Sequence, residues 1–465
     1  MTELPVGWAQ ARLDEIAEVR LGRQRSPKNH LGDNMRPYLR AANVGWEGLK
    51  LDDVKSMNFT DAEVKVYGLK PGDIVLSEAS GSPGEVGKPA LWNGEIEGCC
   101  IQNTLLRVRS YGVDPHYLLH FLRYEALRGS FVTHSRGVGI HHIGVARLAS
   151  WPVLVPPLAE QRRIVGALDD HLSRYNAATS LVSAAGLRLH RLKKRLLIDS
   201  VPLREGGGWR LSTVAEAGSV DLGRQRHPDW HNGQNMRPYL RVANVFEDRI
   251  DSTDVMEMDF TPQVFEKFRL REGDIILNEG QSPELLGRPA MYRGVPADVA
   301  FTNSLLRFRA AEGIDPEWAL LVFRRHMHAG RFSREVRITT NIAHLSAGRF
   351  KAVEFPVPPL AEQRAIVSRT KEVLSGLDRL SDAIRQVERQ ADNLRASLLA
   401  EAFAGRLVPK DAGDEPASEL LARTGAGRAT ATAKQKSRAA RPRKELAAPP
   451  TRVTGDDYQQ EALPL

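Results

Sequence analysis

PPLAEQR occupies Pro156–Arg162 and returns letter for letter at Pro358–Arg364, 202 positions later. Each copy closes a segment rich in strand and turn signals and opens a helical one. Pro157 and Pro359 suit a first helical position, where a missing N–H is harmless. Glu160 and Glu362 then sit in the first turn and complement the positive end of the helix dipole. One copy of a heptapeptide could be chance; two copies in the same context mark architecture.

Working outward, the repeat grows. Leu21–Val44 reads LGRQRSPKNHLGDNMRPYLRAANV and Leu222–Val245 reads LGRQRHPDWHNGQNMRPYLRVANV, identical at 18 of 24 positions with an offset of 201. Gly7-Trp8 pairs with Gly208-Trp209, Gln102–Arg109 with Thr302–Arg309, and Asp114-Pro115 with Asp315-Pro316. A period near 200 residues is far too long for a solenoid repeat and means two domains of one fold. The length of 465 residues with 42% hydrophobic content fits two to four domains with real cores.

Within each unit the first part mixes strands and a helix. Arg36–Val44, Gly72–Leu76 and Gln102–Arg109 read as strands. Asp114–Arg128 reads as a helix with an Asp N-cap and Pro at its first position. The class is α+β. Beyond the heptapeptide, alternating steps of four and three from Ile164 reach Leu168, His171, Tyr175, Ala178, Val182, Ala185, Leu189, Leu192 and Leu196. The same steps from Ile366 reach Thr370, Val373, Leu377, Leu380, Ile384, Val387, Ala391, Leu394 and Leu398. Only His171 and Thr370 are neither apolar nor Tyr, and such a period predicts a coiled coil. The alternative is an amphipathic helix packed on its own domain.

The predicted boundaries are 1–157, 158–200, 201–359, 360–407 and 408–465, with Gly206-Gly207-Gly208 marking the junction of the repeats. Arg423–Lys444 holds eight Lys or Arg and no Asp or Glu. The segment 408–465 is therefore expected to stay disordered, adding either phosphate affinity or solubility.

The net charge of +8 and pI near 9.5 favour polyanion partners. No apolar run reaches membrane-spanning length, and the N-terminus has no secretory pattern. Cys99 and Cys100 are the only cysteines, which fits a reducing cytoplasm.

Catalytic patterns fail on inspection. Gly81–Pro89 lacks the spacing and the hydroxyl of a phosphate-binding loop. Asp114-Pro-His-Tyr117 departs from the (N/D)PP(Y/F) pattern of amino methyltransferases, and its counterpart Asp315-Pro-Glu-Trp318 makes a helix start the simpler reading. His141 and His142 suggest no metal, because only His142 recurs, as His344. The predicted function is binding, with no catalysis and no metal.

Arg, Asn and Gln supply bidentate base contacts, and Arg grips phosphates. The candidate nucleic-acid contacts are Arg23, Gln24, Arg25, Lys28, Asn29, Asn34, Arg36, Arg40, Asn43, His141 and His142. In the second unit they are Arg224, Gln225, Arg226, Trp230, Asn235, Arg237, Arg241, Asn244, Gln281, Thr340 and Asn341. A solvated structural strand would explain Arg36–Asn43 equally well. The loops that differ between copies, Ser26–Asp33 against His227–Gln234 above all, are where binding choice resides on a shared scaffold.

The run V-P-P-L-A-E-Q-R-x-I-V at Val155–Val165 and Val357–Val367 resembles the specificity subunits of type I restriction–modification systems. Leu4-Pro-Val-Gly-Trp8 and Leu13-Asp-Glu-Ile-Ala17 resemble that family's N-terminus, and the similarity spans about residues 1–407. It implies two similar α/β target-recognition domains, joined and separated by two long antiparallel coiled-coil helices. Each domain would read half of a bipartite DNA site. Helix residues such as Ile164, Leu168, Leu189, Leu192, Ile366, Leu377, Ile384 and Leu394 would form the seam and dock methyltransferase subunits, two of them. Restriction and translocase subunits are further possible partners. S-adenosylmethionine, ATP and Mg2+ would belong to partner subunits, not to this chain. A scaffold with duplicated protein-binding domains is the competing class.

Ile164–Leu196 is 33 residues, about 50 Å of helix at about 1.5 Å per residue. Deleting one heptad from both helical regions is expected to change the spacer between half-sites in methylome sequencing. An unchanged spacer would reject the helices as a ruler.

Overall fold

The computed structural model describes residues 4–132, 141–334 and 343–426. Two compact units emerge, Met1–Tyr175 with Asp392–Leu465, and Asn176–Ala391. The first unit is thus discontinuous in sequence.

In the first unit, Ala17–Leu21, Leu105–Ser110, Asp73–Ser77 and Pro89–Trp92 form an antiparallel sheet in that order. Met35–Leu39 pairs antiparallel with Lys55–Asn58 and parallel with Cys100–Ile101. Ala9–Arg12 pairs with Pro152–Val155, so the domain's first and last strands close on each other. The second unit repeats this plan with Gly218–Leu222, Leu305–Ala310, Ile275–Asn278 and Pro289–Met291. Met236–Leu240 again lies between Met256–Asp259 and Ala300–Phe301, and Arg210–Thr213 pairs with Glu354–Val357.

The shared residues explain the shared fold. Gly22 passes so close to the Gln102 carbonyl that a Cβ would lie 2.2 Å from its oxygen, and Gly223 stands equally close to the Thr302 oxygen at 2.2 Å. Asp73 and Asp274 are buried and take bidentate bonds from Arg109 at 2.6 Å and from Arg309 at 2.7 Å. Such paired, hydrogen-bonded charge is tolerated in a core where a lone carboxylate would not be.

Pro115–Leu127 and Pro316–His328 are helices with Asp114 and Asp315 as N-caps, each accepting from its first turn. The strand expected over Arg36–Val44 is shorter. It ends at Leu39, and Ala41–Asn43 forms a 3-10 turn.

The long helices run Leu158–Asp199 and Leu360–Phe403. The heptapeptide latches each to its domain. Trp8 Nε1 donates to Glu160 at 3.0 Å, as Trp209 Nε1 does to Glu362 at 3.0 Å. Gln161 accepts from the Asp114 backbone N–H at 2.8 Å and donates to the Pro156 carbonyl at 2.8 Å. Gln363 accepts from Asp315 N–H at 2.9 Å and donates to Pro358 at 2.8 Å.

The helices pair antiparallel within each unit. Lys193 bonds Asp378 and Ser381, both at 2.7 Å, in the second unit. Tyr175 donates to Asp392 at 2.9 Å in the first. The expected seam, however, has the wrong phase at alternate positions. Leu168, Leu189, Ile366, Leu377 and Thr370 are buried as the stripe requires, or despite breaking it. Leu192 is 54% exposed and Leu394 is 66% exposed, and Val373, Leu380 and Val387 also face solvent. The inward positions are instead Leu172, Gly186 and Lys193 on one helix, and Leu374, Ser381 and Arg395 on the other.

The cause lies in the first turns. Ile164, Leu168 and Leu172 are spaced four and four, as are Ile366, Thr370 and Leu374, because these turns pack on the globular core. That slips the later phase by one residue. The polar and small residues that follow inside the seam conceal the slip from a count of apolar positions.

The expected disordered tail is also corrected for residues 408–426. Ala417 and Leu420 join the core of the first unit, and residues 417–426 are helical. Phe403 sits among Tyr117, Phe121 and Tyr124 at centroid distances of 5.7, 5.4 and 5.2 Å. Lys410 lies 4.7 Å over the Trp8 ring and bonds Glu160, while Arg163 bonds Asp414 at 2.5 Å. Apolar burial holds this strap down, which the basic composition beyond residue 426 does not reveal. Residues 427–465 lie outside the described residues. No helix among the described residues is long and apolar enough to cross a membrane.

Leu377→Ala is expected to destabilise the protein by about 2–5 kcal/mol, and Leu394→Ala by under about 0.5 kcal/mol. Urea unfolding distinguishes the two, and equal losses would restore the regular heptad.

Candidate nucleic-acid interface

The candidate residues separate into two groups according to their contacts. Asn43 and Asn244 are each only 2% exposed. Asn43 accepts from Arg40 N–H at 3.0 Å and donates to the carbonyls of Lys50 at 2.8 Å and Asp53 at 3.1 Å. Asn244 does the same with Arg241, Asp251 and Asp254 at 3.0, 3.0 and 2.8 Å. A saturated, buried amide has nothing left for a base, so both are struck from the interface. They organise the turn.

Arg23 and Arg224 are also framework groups. Each donates to a strand carbonyl, of Asn58 and Asp259 respectively, and lies over Phe59 at 4.9 Å or Phe260 at 4.5 Å. Arg23 further pairs with Glu63 at 2.7 Å. Trp230 is half-buried beneath Arg224, whose guanidinium carbon is 3.9 Å from its ring, so it anchors its own loop. Arg40 and Arg241 are tied to Asp53 and Asp254.

The remaining members stay on the surface. Gln24, Arg25, Lys28, Asn34 and Arg36 are exposed in the first unit, as are Gln225, Arg226, Asn235 and Arg237 in the second. Asn29 is half-buried. Asn34 and Asn235 are fixed through their backbone N–H groups, to Asn58 at 2.9 Å and Asp259 at 2.8 Å, which leaves their amides outward. Arg25 donates to His30 at 3.1 Å. Asn34 and Arg36, like Asn235 and Arg237, lie at the start of the Met35–Leu39 strand or its repeat.

His142 and His344 each face a glutamate, Glu78 at 3.2 Å and Glu279 at 3.1 Å. His141 lies in the same two-residue strand, paired with Ser80. Gln281 occupies the equivalent strand of the second unit, paired with Ala343. Thr340 and Asn341 lie outside the described residues. Among the described residues no group of three His, Cys, Asp or Glu could hold a metal. Cys99 and Cys100 are buried and free, and burial pushes their thiols up to about 12 and about 11.

Two features escaped the sequence reading. A pocket of about 250 Å3 in the first unit is bordered by Ala41, Lys50, Ser77, Ser80, Glu85 and Lys88. The signal for it was available, because Lys50 becomes Asp251 and Ser77 becomes Asn278 in the repeat. A larger cleft of about 530 Å3 in the second unit is rich in charge, and several of its cations are already matched. Lys193 bonds Asp378 and Lys371 bonds Glu317, both at 2.7 Å. Burial alone would raise the Glu247 pKa, yet His328 and Arg324 outweigh it and hold the carboxyl down at about 2.

A family model for the type I restriction modification DNA specificity domain matches residues 5–180. The specificity subunit of the type I restriction enzyme EcoKI from Escherichia coli K12 is 23% identical over 461 residues, covering 94% of this chain and 98% of the relative. The StySPI specificity subunit of Salmonella potsdam is 26% identical over 466 residues, with 94% and 98% coverage. A chain solved in work on complex assembly and conformational transition of a type I system aligns with a TM-score of 0.70. It is 19% identical, and the match covers 88% of this chain and 100% of that one. This likeness concerns the fold.

Arg36→Ala and Arg237→Ala are each expected to weaken duplex DNA binding and to lower the salt slope by about one. Asn43→Ala is expected to cost about 1–3 kcal/mol of stability and leave that slope unchanged. Anisotropy titrations across salt, paired with urea unfolding, separate the two effects.

Proposed function

The chain belongs to the specificity subunits of type I restriction–modification systems, and from that premise we propose that each globular unit reads one half of a bipartite DNA target. As a specificity subunit it serves DNA recognition, without catalysis of its own, in a complex with modification and restriction subunits. The observation that carries the bipartite reading is the duplication of the exposed set. Gln24, Arg25, Asn34 and Arg36 recur as Gln225, Arg226, Asn235 and Arg237, on the same strand and turn of the same fold.

Arg and amide side chains at those positions suit both phosphate and base-edge contacts. The antiparallel helices would hold two methyltransferase subunits, one for each half of the repeat. S-adenosylmethionine, ATP and Mg2+ are assigned to partner subunits, and the cytoplasm is the compartment. With 18 of 24 positions shared in the reader segment, the two half-sites are expected to be related in sequence.

The test is an exchange of Ser26–Asp33 for the residues of His227–Gln234, read by single-molecule methylome sequencing of a host carrying the methyltransferase partner. One half of the methylated motif should change, with the other intact. A host methylome with no motif dependent on this chain, together with no salt-dependent DNA binding by the complex, would favour a protein scaffold.

A further inference from the structure

Most of the reader framework is the same in the two units, contact for contact. Arg40, Asn43, Arg109 and the His142–Glu78 pair have counterparts making the same bonds. Groups engaged identically cannot tell one half-site from the other. The 250 Å3 pocket of the first unit is different.

Its location ties it to the exposed set. Arg23 bridges to Gln102, whose backbone N–H donates to Leu39 at 3.0 Å, and Thr104 Oγ1 accepts from Ala41 N–H at 3.0 Å on the pocket's border. Gln24 and Arg25 therefore follow directly from the strand end that frames the pocket. Its border offers the Lys50 ammonium, which is exposed, and the hydroxyls of Ser77 and Ser80. Glu85 is already engaged by Lys88 and by Trp46 Nε1, the latter at 3.0 Å. The free groups are hydrogen-bond donors with one positive charge.

In the second unit three of these positions change and the charge reverses at one of them, while Lys88 keeps a cation as Arg288. Lys50 is replaced by Asp251, Glu85 by Leu285 and Ser77 by Asn278. Ser77 pairs with Leu105 in the sheet and Asn278 pairs with Leu305, so the register is unchanged. Asn278 is fully buried, and neither Nδ2 nor Oδ1 has a hydrogen-bond partner. A fully buried amide without partners works against folding, and native proteins keep few of them. The fold does not require it, because serine serves at the equivalent place. Its side chain is larger than the serine of the first unit.

Building on the functional reading above, we propose that this pocket selects the half-site of the first unit. Lys50 and Ser77 receive a base-pair edge rich in acceptors, the carbonyl side of a guanine or thymine in the major groove. Asp251 and Asn278 refuse the same edge in the second unit by charge and by volume. Lys50 and Ser77 are thus specificity-determining residues, and their counterparts account for the difference between the two domains.

The experiment uses the full chain in complex with its methyltransferase partner. Lys50→Asp, Ser77→Asn and the milder Lys50→Ala are assayed by methylome sequencing and by methylation of duplexes carrying single base-pair changes. Discrimination at one position of one half-site should fall about tenfold or more, with the other half-site unchanged. Asn278→Ser should alter the opposite half-site alone. A uniform loss of affinity on all duplexes, with a salt slope lowered by about one, would mean a phosphate contact and overturn the proposal. Unaltered base preference in well-folded Lys50→Ala and Ser77→Asn complexes would overturn it as well. If the wild-type complex methylates no bipartite motif, the functional reading itself fails, whereas an intact wild-type motif with insensitive variants removes only the pocket.

Discussion

A glutamate and a glutamine in the first turn of each long helix hold each reader to its helix; the glutamine is buried in both units and the glutamate in the first. Glu160 takes the indole N–H of Trp8, and Gln161 bridges the Asp114 N–H to the Pro156 carbonyl. Three separate pieces of chain, the domain's N-terminus, its main helix and the start of the long helix, meet on one turn of backbone. Water is excluded there, so every polar atom must find its partner within the protein. That requirement fixes the angle at which the helix leaves the domain, and it explains why the heptapeptide is repeated without a change. The buried Glu160 carboxylate also needs a cation nearby. Lys410 provides it in the first unit, and Arg204 stands 4.6 Å over Trp209 and 3.9 Å from Glu362 in the second.

Duplication within one chain acts as an internal control. Where both units make the same contact with the same residue, the contact serves the scaffold. Arg23 over Phe59 and Arg224 over Phe260 are the clearest example. A guanidinium has five donors and a flat apolar face, so it can stack, bond a carbonyl and neutralise a carboxylate together. Much of the arginine that looks like a nucleic-acid signature in the sequence is engaged in this way. The exposed subset is smaller, and it clusters around one strand and turn in each unit.

Much was legible beforehand. The offset of 201 revealed two domains, Asp114-Pro and Asp315-Pro marked helix starts, and the heptapeptide marked the long helices. The heptad phase was not legible, because the first turns pack on a globular core at a spacing of four and four. Lys193 and Ser381 then occupy the seam through a bond to each other, while Leu192 and Leu394 lie outside it. A count of apolar residues cannot detect a half-buried polar pair whose two members satisfy one another. Asn43 misled for the same reason, since a base-reading amide and a turn-fixing amide have the same letter.

The sequence by itself determined the duplication, the α+β class, the helix origins and the family resemblance. These follow from covalent order, in which identity at a fixed offset and local capping chemistry are directly visible. Only the tertiary structure decided which arginines and amides remain available, where residues 408–426 pack, and that Lys50 and Ser77 border one pocket. Those facts depend on what lies across from each side chain. Burial and hydrogen-bond satisfaction belong to a pair of groups brought together by folding, and neither member declares its partner in the linear order.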